Sequence, residues 1–124
     1  MELVRKLACV ALALAGLGGG AWADEPASGR EVFDYRCRTC HGGTRKADSP
    51  LGPSLAGIVG TRAGTQSSGV HSRALIESGT VWDRASLRRF LADPPREVPG
   101  NYMPAVVVPP AELESLLDYL ESFR

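Results

Sequence analysis

Apolar and polar positions alternate with helical spacing in four short segments, separated by stretches with no period. Ser28 is a good N-cap, and Val32, Phe33 and Tyr35 after it lead directly into Cys37. A second helical pattern covers Ser72 to Ser78 and stops at Gly79. The third follows Trp82, with Asp83 as cap and Leu87, Phe90 and Leu91 on one face, and Asp93-Pro94-Pro95 ends it. The last runs from Ala111 to Phe123 with Leu113, Leu116, Leu117 and Leu120 along its stripe. Between them, Gly42 to Gly69 is rich in Gly, Ser, Thr and Pro and carries only Leu51, Leu55, Ile58 and Val59 as apolar anchors. Pro99 to Pro110 is a second irregular stretch, and strand-like alternation is confined to Ala105–Val108, where prolines restrict it. The pattern predicts an all-α fold of short helices and long loops, and irregular stretches of that length in so small a domain usually wrap something.

The N-terminus stands apart. Arg5 and Lys6 precede an uncharged run from Leu7 to Leu17, and Ala21-Trp22-Ala23 supplies a small-x-small cleavage site, so residues 1–23 read as a signal peptide and 24–124 as one domain. The run is short for a membrane span and dissolves into Gly18-Gly19-Gly20, which argues against retention as an anchor. Cys9 leaves with the signal. Losing Glu2, Arg5 and Lys6 reduces the 14 basic and 14 acidic residues to 12 and 13, a balance that excludes a nucleic-acid footprint. A mature domain of this size benefits from a staple, and two cysteines remain to provide one.

Those cysteines sit in Cys37-Arg38-Thr39-Cys40-His41. Two thiols so spaced can form a redox disulfide, half a zinc site, or two thioether links to haem. A thioredoxin-like motif belongs in a βαβ unit, which is missing, and zinc would have to recruit His71 or carboxylates. Haem uses every feature: Cys37 and Cys40 fix the porphyrin edge and His41 follows as an iron ligand. Export also suits covalent attachment. The expected cofactor is therefore one covalently bound haem c.

Met103 is the only methionine after the signal, on a proline-flanked loop. A methionine there can be a flexible gap-filler or the second axial ligand, and the latter is the expectation, with His71 as rival ligand.

The chain is similar to the class I c-type cytochromes, above all the small mitochondrial and bacterial photosynthetic kind. The resemblance runs from about Gly29 to Phe123 and rests on Gly29 with Phe33, CRTCH, Gly52-Pro53-Ser54-Leu55, GIVGTRAG from Gly57, Ala74 to Gly79, Val81-Trp82, LRRFLADP and VPGNYM. It implies the small cytochrome c fold around one haem, with His41 and Met103 as axial ligands. It also implies that the Pro53 carbonyl accepts a hydrogen bond from His41, that Trp82 points its indole N–H at a propionate, and that Phe90 lines the haem pocket. Gly29 and Phe33 would meet Leu116 and Tyr119 where the first and last helices cross. The chain departs from the family pattern at Phe90 and His71, where tyrosines are usual, at Thr61, where an arginine is usual, and at Tyr102, where a lysine is usual.

The functional expectation is a soluble, periplasmic, monomeric electron carrier, not an enzyme, that exchanges single electrons with a redox protein donor and acceptor. It binds no nucleic acid and has no membrane span after cleavage. The alternatives are a haem enzyme or gas sensor with a labile Met103, or a haem subunit of a larger oxidoreductase. The family's lysine ring is missing: Lys46 is the only mature lysine, and Arg36, Arg38, Arg45, Arg62 and Arg96 are either an ordinary solvated surface or a docking patch.

Overall fold

The computed structural model describes residues 25–42, 51–66 and 68–123. The expected signal segment and cleavage site, Arg45 and Lys46 lie outside them. Six helices follow one another: α1 (Gly29–Arg36), α2 (Arg38–His41), α3 (Arg73–Glu77), α4 (Arg84–Ala92), α5 (Pro94–Glu97) and α6 (Pro110–Ser122). Among the described residues the only β pairing is one bridge between Arg62 and Val81. No helix among them is long and apolar enough to cross a membrane.

The helix starts follow their caps. Ser28 accepts from the Glu31 amide while Glu31 reaches back to the Ser28 amide, a capping box. Asp83 and Ser86 do the same for α4, and Ser72 caps α3. One expectation needs correction: Asp93-Pro94-Pro95 ends α4 but also begins α5, because Asp93 accepts from the Arg96 amide and proline is well suited to a first helical position.

The core forms where α1 crosses α6. Phe33, Leu116 and Leu117 are fully buried, and the Phe33 ring lies 5.4 Å from Tyr119 and 5.3 Å from Phe123. Gly29 permits the crossing: a Cβ there would run into the Ser115 carbonyl oxygen and lie 2.7 Å from the Tyr119 Cβ. Of the four expected loop anchors, Ile58 is buried and Leu55 and Val59 pack partly against the core, but Leu51 is 61% exposed. Nothing in the core covers Leu51.

The arginines are largely engaged. Arg84 reaches Glu114, Asp118 and Glu121, Arg88 shares Glu114, Arg36 faces Glu112, Arg38 faces Asp34, and Arg89 binds Glu97. Hydrogen bonds from Arg88 and Arg84 hold the Glu114 carboxyl down to about 2.

Candidate haem site

The turn between α1 and α2 places the motif. Cys37 caps the end of α1, and α2 carries Cys40 and His41 one short turn on. Cys37 is buried, which pushes its thiol up to about 11 by desolvation against the opposing charge of Arg36.

His41 is buried as well. Its Nδ1 donates to the Pro53 carbonyl at 2.7 Å, since a carbonyl can only accept. That bond fixes the tautomer and leaves Nε2 with the lone pair, while burial lowers the His41 pKa and keeps the ring neutral. Gly52 is required beside it, because a Cβ there would stand 2.7 Å from His41 Cε1. A neutral, oriented imidazole is the form that ligates a metal.

Cys37, Cys40, His41, Pro53, Trp82, Phe90 and Met103 all line one cavity of about 480 Å³. The rest of its wall is mainly aliphatic, including Leu87 and Leu91 of α4 and Leu116 and Leu120 of α6. Trp82 and Phe90 meet edge to face with centroids 5.0 Å apart, closing part of the wall by ring packing. Met103 is half-buried, and its amide donates to Asn101 Oδ1 at 2.8 Å. Asn101 in turn donates from Nδ2 to the carbonyls of Pro94 and Val98, so one side chain ties the methionine loop to α5. Sequence reasoning had passed over Asn101, although an amide between proline-bounded segments is the usual signal for a loop clamp. His71 is not among the residues lining the cavity. Its ring bonds the Gln66 carbonyl through Nε2 at 2.9 Å, and its Nδ1 is a buried polar atom with no partner.

A larger groove of about 790 Å³ opens between residues 25–36 and the start of α6. It contains no thiol, imidazole or thioether, and its wall is mostly Glu, Pro and Ala, so it is not the site. Among the described residues no cluster of three or more His, Cys, Asp or Glu side chains could hold a metal ion.

Short helices folded around an apolar cavity, with a CxxCH turn on its wall, define a small covalent-haem protein. Comparison with known proteins agrees. The profile of the cytochrome c family matches residues 26–124, and the chain belongs to that family. It is 37% identical over 89 residues to cytochrome c2 iso-2 of Magnetospirillum molischianum, covering 71% of this chain and 91% of that protein. Cytochrome c2 of Blastochloris viridis is 32% identical over 122 residues, covering 98% of this chain and 95% of that one. In structure it resembles cytochrome cH from Methylobacterium extorquens, with a TM-score of 0.66 at 34% identity over 76% of this chain and 94% of that one.

The protein is thus a class I c-type cytochrome, a monohaem electron-transfer protein and not an enzyme. Its cofactor is one covalently attached haem c. The cavity fits that group on its own terms. Two thiols and a neutral, oriented imidazole stand on an apolar wall.

Proposed function

We propose that this cytochrome is a soluble carrier of the periplasm, secreted by cleavage after Ala23, that shuttles single electrons between redox proteins as a monomer. The observation that carries the reading is the single cavity that collects Cys37, Cys40, His41 and Met103. When bound, haem c supplies a one-electron iron couple.

The chain's own residues account for the rest. Cys37 and Cys40 would hold the cofactor by thioethers, and His41 and Met103 would ligate its iron, so that no substrate would bind there. The Pro53 carbonyl keeps the His41 ring in one tautomer and one plane, so the ligand does not reorient when the oxidation state changes. The Asn101 bonds hold the Met103 loop against α5 in the same way. Trp82, Phe90 and the leucines of α4 and α6 give the cavity an apolar wall that would keep water from a bound cofactor. A site that neither opens nor rearranges is suited to electron transfer without bond chemistry.

Absorption spectra of the holoprotein test the reading. A carrier retains haem after denaturation, displays the weak sulfur-to-ferric-iron band at long wavelength, and has a reduced spectrum that carbon monoxide does not change. Loss of that band together with carbon monoxide binding would instead mark an enzyme or sensor with a labile Met103.

A further inference from the structure

Proline has no N–H to donate, so the carbonyl of Pro53 is aimed by what holds its neighbours. On one side the Gly52 amide donates to the Cys40 carbonyl at 2.8 Å, and the Val70 amide donates to the Leu51 carbonyl at 3.0 Å. On the other, the amide of buried Ser54 donates to the Ser68 hydroxyl oxygen at 3.1 Å, 14 residues further along the chain. Between these ties Gly69 lies directly against the turn: a Cβ there would run into the Gly52 carbonyl and the Pro53 nitrogen. Residues 68–70 therefore bracket Pro53 from both sides.

The tie to Ser68 bears directly on His41. The Pro53 C=O and the Ser54 N–H belong to one planar trans peptide unit and point in opposite directions. His41 holds the oxygen end at 2.7 Å from Nδ1, and the Ser68 hydroxyl holds the nitrogen end. With both ends held the plane cannot turn, and a peptide that donates at its N–H is a stronger acceptor at its C=O. The loop that presents Ser68 is pinned in turn: His71 Nε2 donates to the Gln66 carbonyl at 2.9 Å, and Gln66 Nε2 donates to Thr61 Oγ1 at 2.8 Å. Thr61 and His71 are two of the positions at which the chain departs from the family pattern, so this support is built from residues of its own.

We propose that Ser68 is a positioning residue for the electron-transfer site: its hydroxyl, acting through the Pro53–Ser54 peptide, sets how strongly His41 is hydrogen-bonded and with it the reduction potential. The inference rests on His41 as a haem ligand and adds to the site a residue that does not line its cavity. A firm bond at Nδ1–H makes the imidazole a better electron donor at Nε2, which favours ferric iron and lowers the potential. Removing the hydroxyl orphans a buried amide, lets the peptide turn towards another acceptor and weakens its bond to His41. The potential should then rise.

Threonine and valine share a shape and differ in the hydroxyl, so Ser68→Thr set against Ser68→Val isolates that group. The potential of each holoprotein is read by voltammetry, and exchange of the His41 ring proton by NMR of the reduced form. Ser68→Val should favour reduction about threefold to tenfold over wild type, roughly 30 to 60 mV for one electron, and should speed ring-proton exchange at least several-fold. Ser68→Thr should keep both at wild-type values. Ser68→Ala should follow valine, and it decides the matter if the valine variant does not fold. A merely structural role would lower the unfolding midpoint of Ser68→Ala while leaving potential and exchange unmoved, and that result overturns the proposal. So does a shift in potential accompanied by loss of the sulfur-to-ferric-iron band, because the effect would then lie at Met103. The two readings fail separately: carbon monoxide bound by the reduced wild type overturns the carrier, whereas equal ring-proton exchange in Ser68→Thr and Ser68→Ala overturns the role of Ser68. A protein without covalent haem overturns both.

Discussion

The helix crossing of α1 and α6 and the loops that carry Pro53 and Met103 are held by different means. At the crossing, side chains suffice: Phe33, Leu116 and Leu117 are fully buried, and Gly29 lets the two backbones approach. Around the cavity, loop 51–66 and loop 99–109 are positioned by backbone and side-chain hydrogen bonds, such as Gly52 to Cys40 and Asn101 to Pro94, while their apolar side chains face a space of about 480 Å³. One region packs on itself and the other packs on what fills it. The difference teaches that stability of the loops should depend strongly on the cofactor, while the crossing, which meets the cavity through Leu116 and Leu120, should depend on it less.

The largest break in that comparison comes from removing the filler. Cys37→Ser/Cys40→Ser should carry no haem through denaturing electrophoresis, and residues 51–66 and 99–109 should lose hydrogen-exchange protection before α1 and α6 do. Equal loss across both regions would mean that the crossing also depends on the cavity. Gly29→Ala attacks the other side. Its methyl meets the Ser115 carbonyl, which is backbone and cannot rotate away, so the helices must separate. We expect about 2–4 kcal/mol lower unfolding free energy by chemical denaturation of the holoprotein, with the spectrum of the folded fraction unchanged.

Met103→Ala sharpens the comparison within the site. The variant should keep its haem through Cys37 and Cys40, lose the sulfur-to-iron band, bind carbon monoxide when reduced, and fall in reduction potential relative to wild type. Retention of the band would exclude Met103 as the ligand. Stability should drop less than in Gly29→Ala, because Met103 is only half-buried.

Much of this division was legible in the residues, and the limits have physical causes. Local signals worked: Ser28 with Glu31, Ser72, and Asp83 with Ser86 place three helix starts because capping is decided within four residues. The spacing of Cys37, Cys40 and His41 was readable for the same reason. Asp93-Pro94-Pro95 stops α4 as expected, but the start it gives to α5 was not read, because proline suits both places. Leu51 was read as an anchor because hydropathy does not tell a core side chain from one at a cavity mouth. The arginines could not be sorted at all, since Arg84 and Arg88 find Glu114 across 30 and 26 residues of chain. Gly52 against His41 and Asn101 against Pro94 are likewise contacts that only the folded loops create.

The ion pairs of α4 and α6 are where the smallest effect is expected, and they test whether the self-packed half relies on charge. Glu114 is about half exposed and accepts from Arg84 and Arg88 at 2.8 and 2.9 Å. The hydrogen bonds from Arg88 and Arg84 hold its carboxyl down to about 2, below the 4.5 of a free glutamate. A carboxyl depressed on folding stabilises the native state above the unfolded value and loses that contribution as pH falls from about 4.5 towards 2. Glu114→Gln should therefore change stability little at neutral pH, where solvent screens an exposed pair, and should flatten the acid limb of the unfolding midpoint between those two values. Asp118 and Glu121 remain to receive Arg84, so Arg88 is the side chain left without a carboxylate. If the acid limb were unchanged in this variant, the ion pairs between α4 and α6 would add nothing measurable, and the contrast between a self-packed half and a cofactor-packed half would rest on apolar contacts.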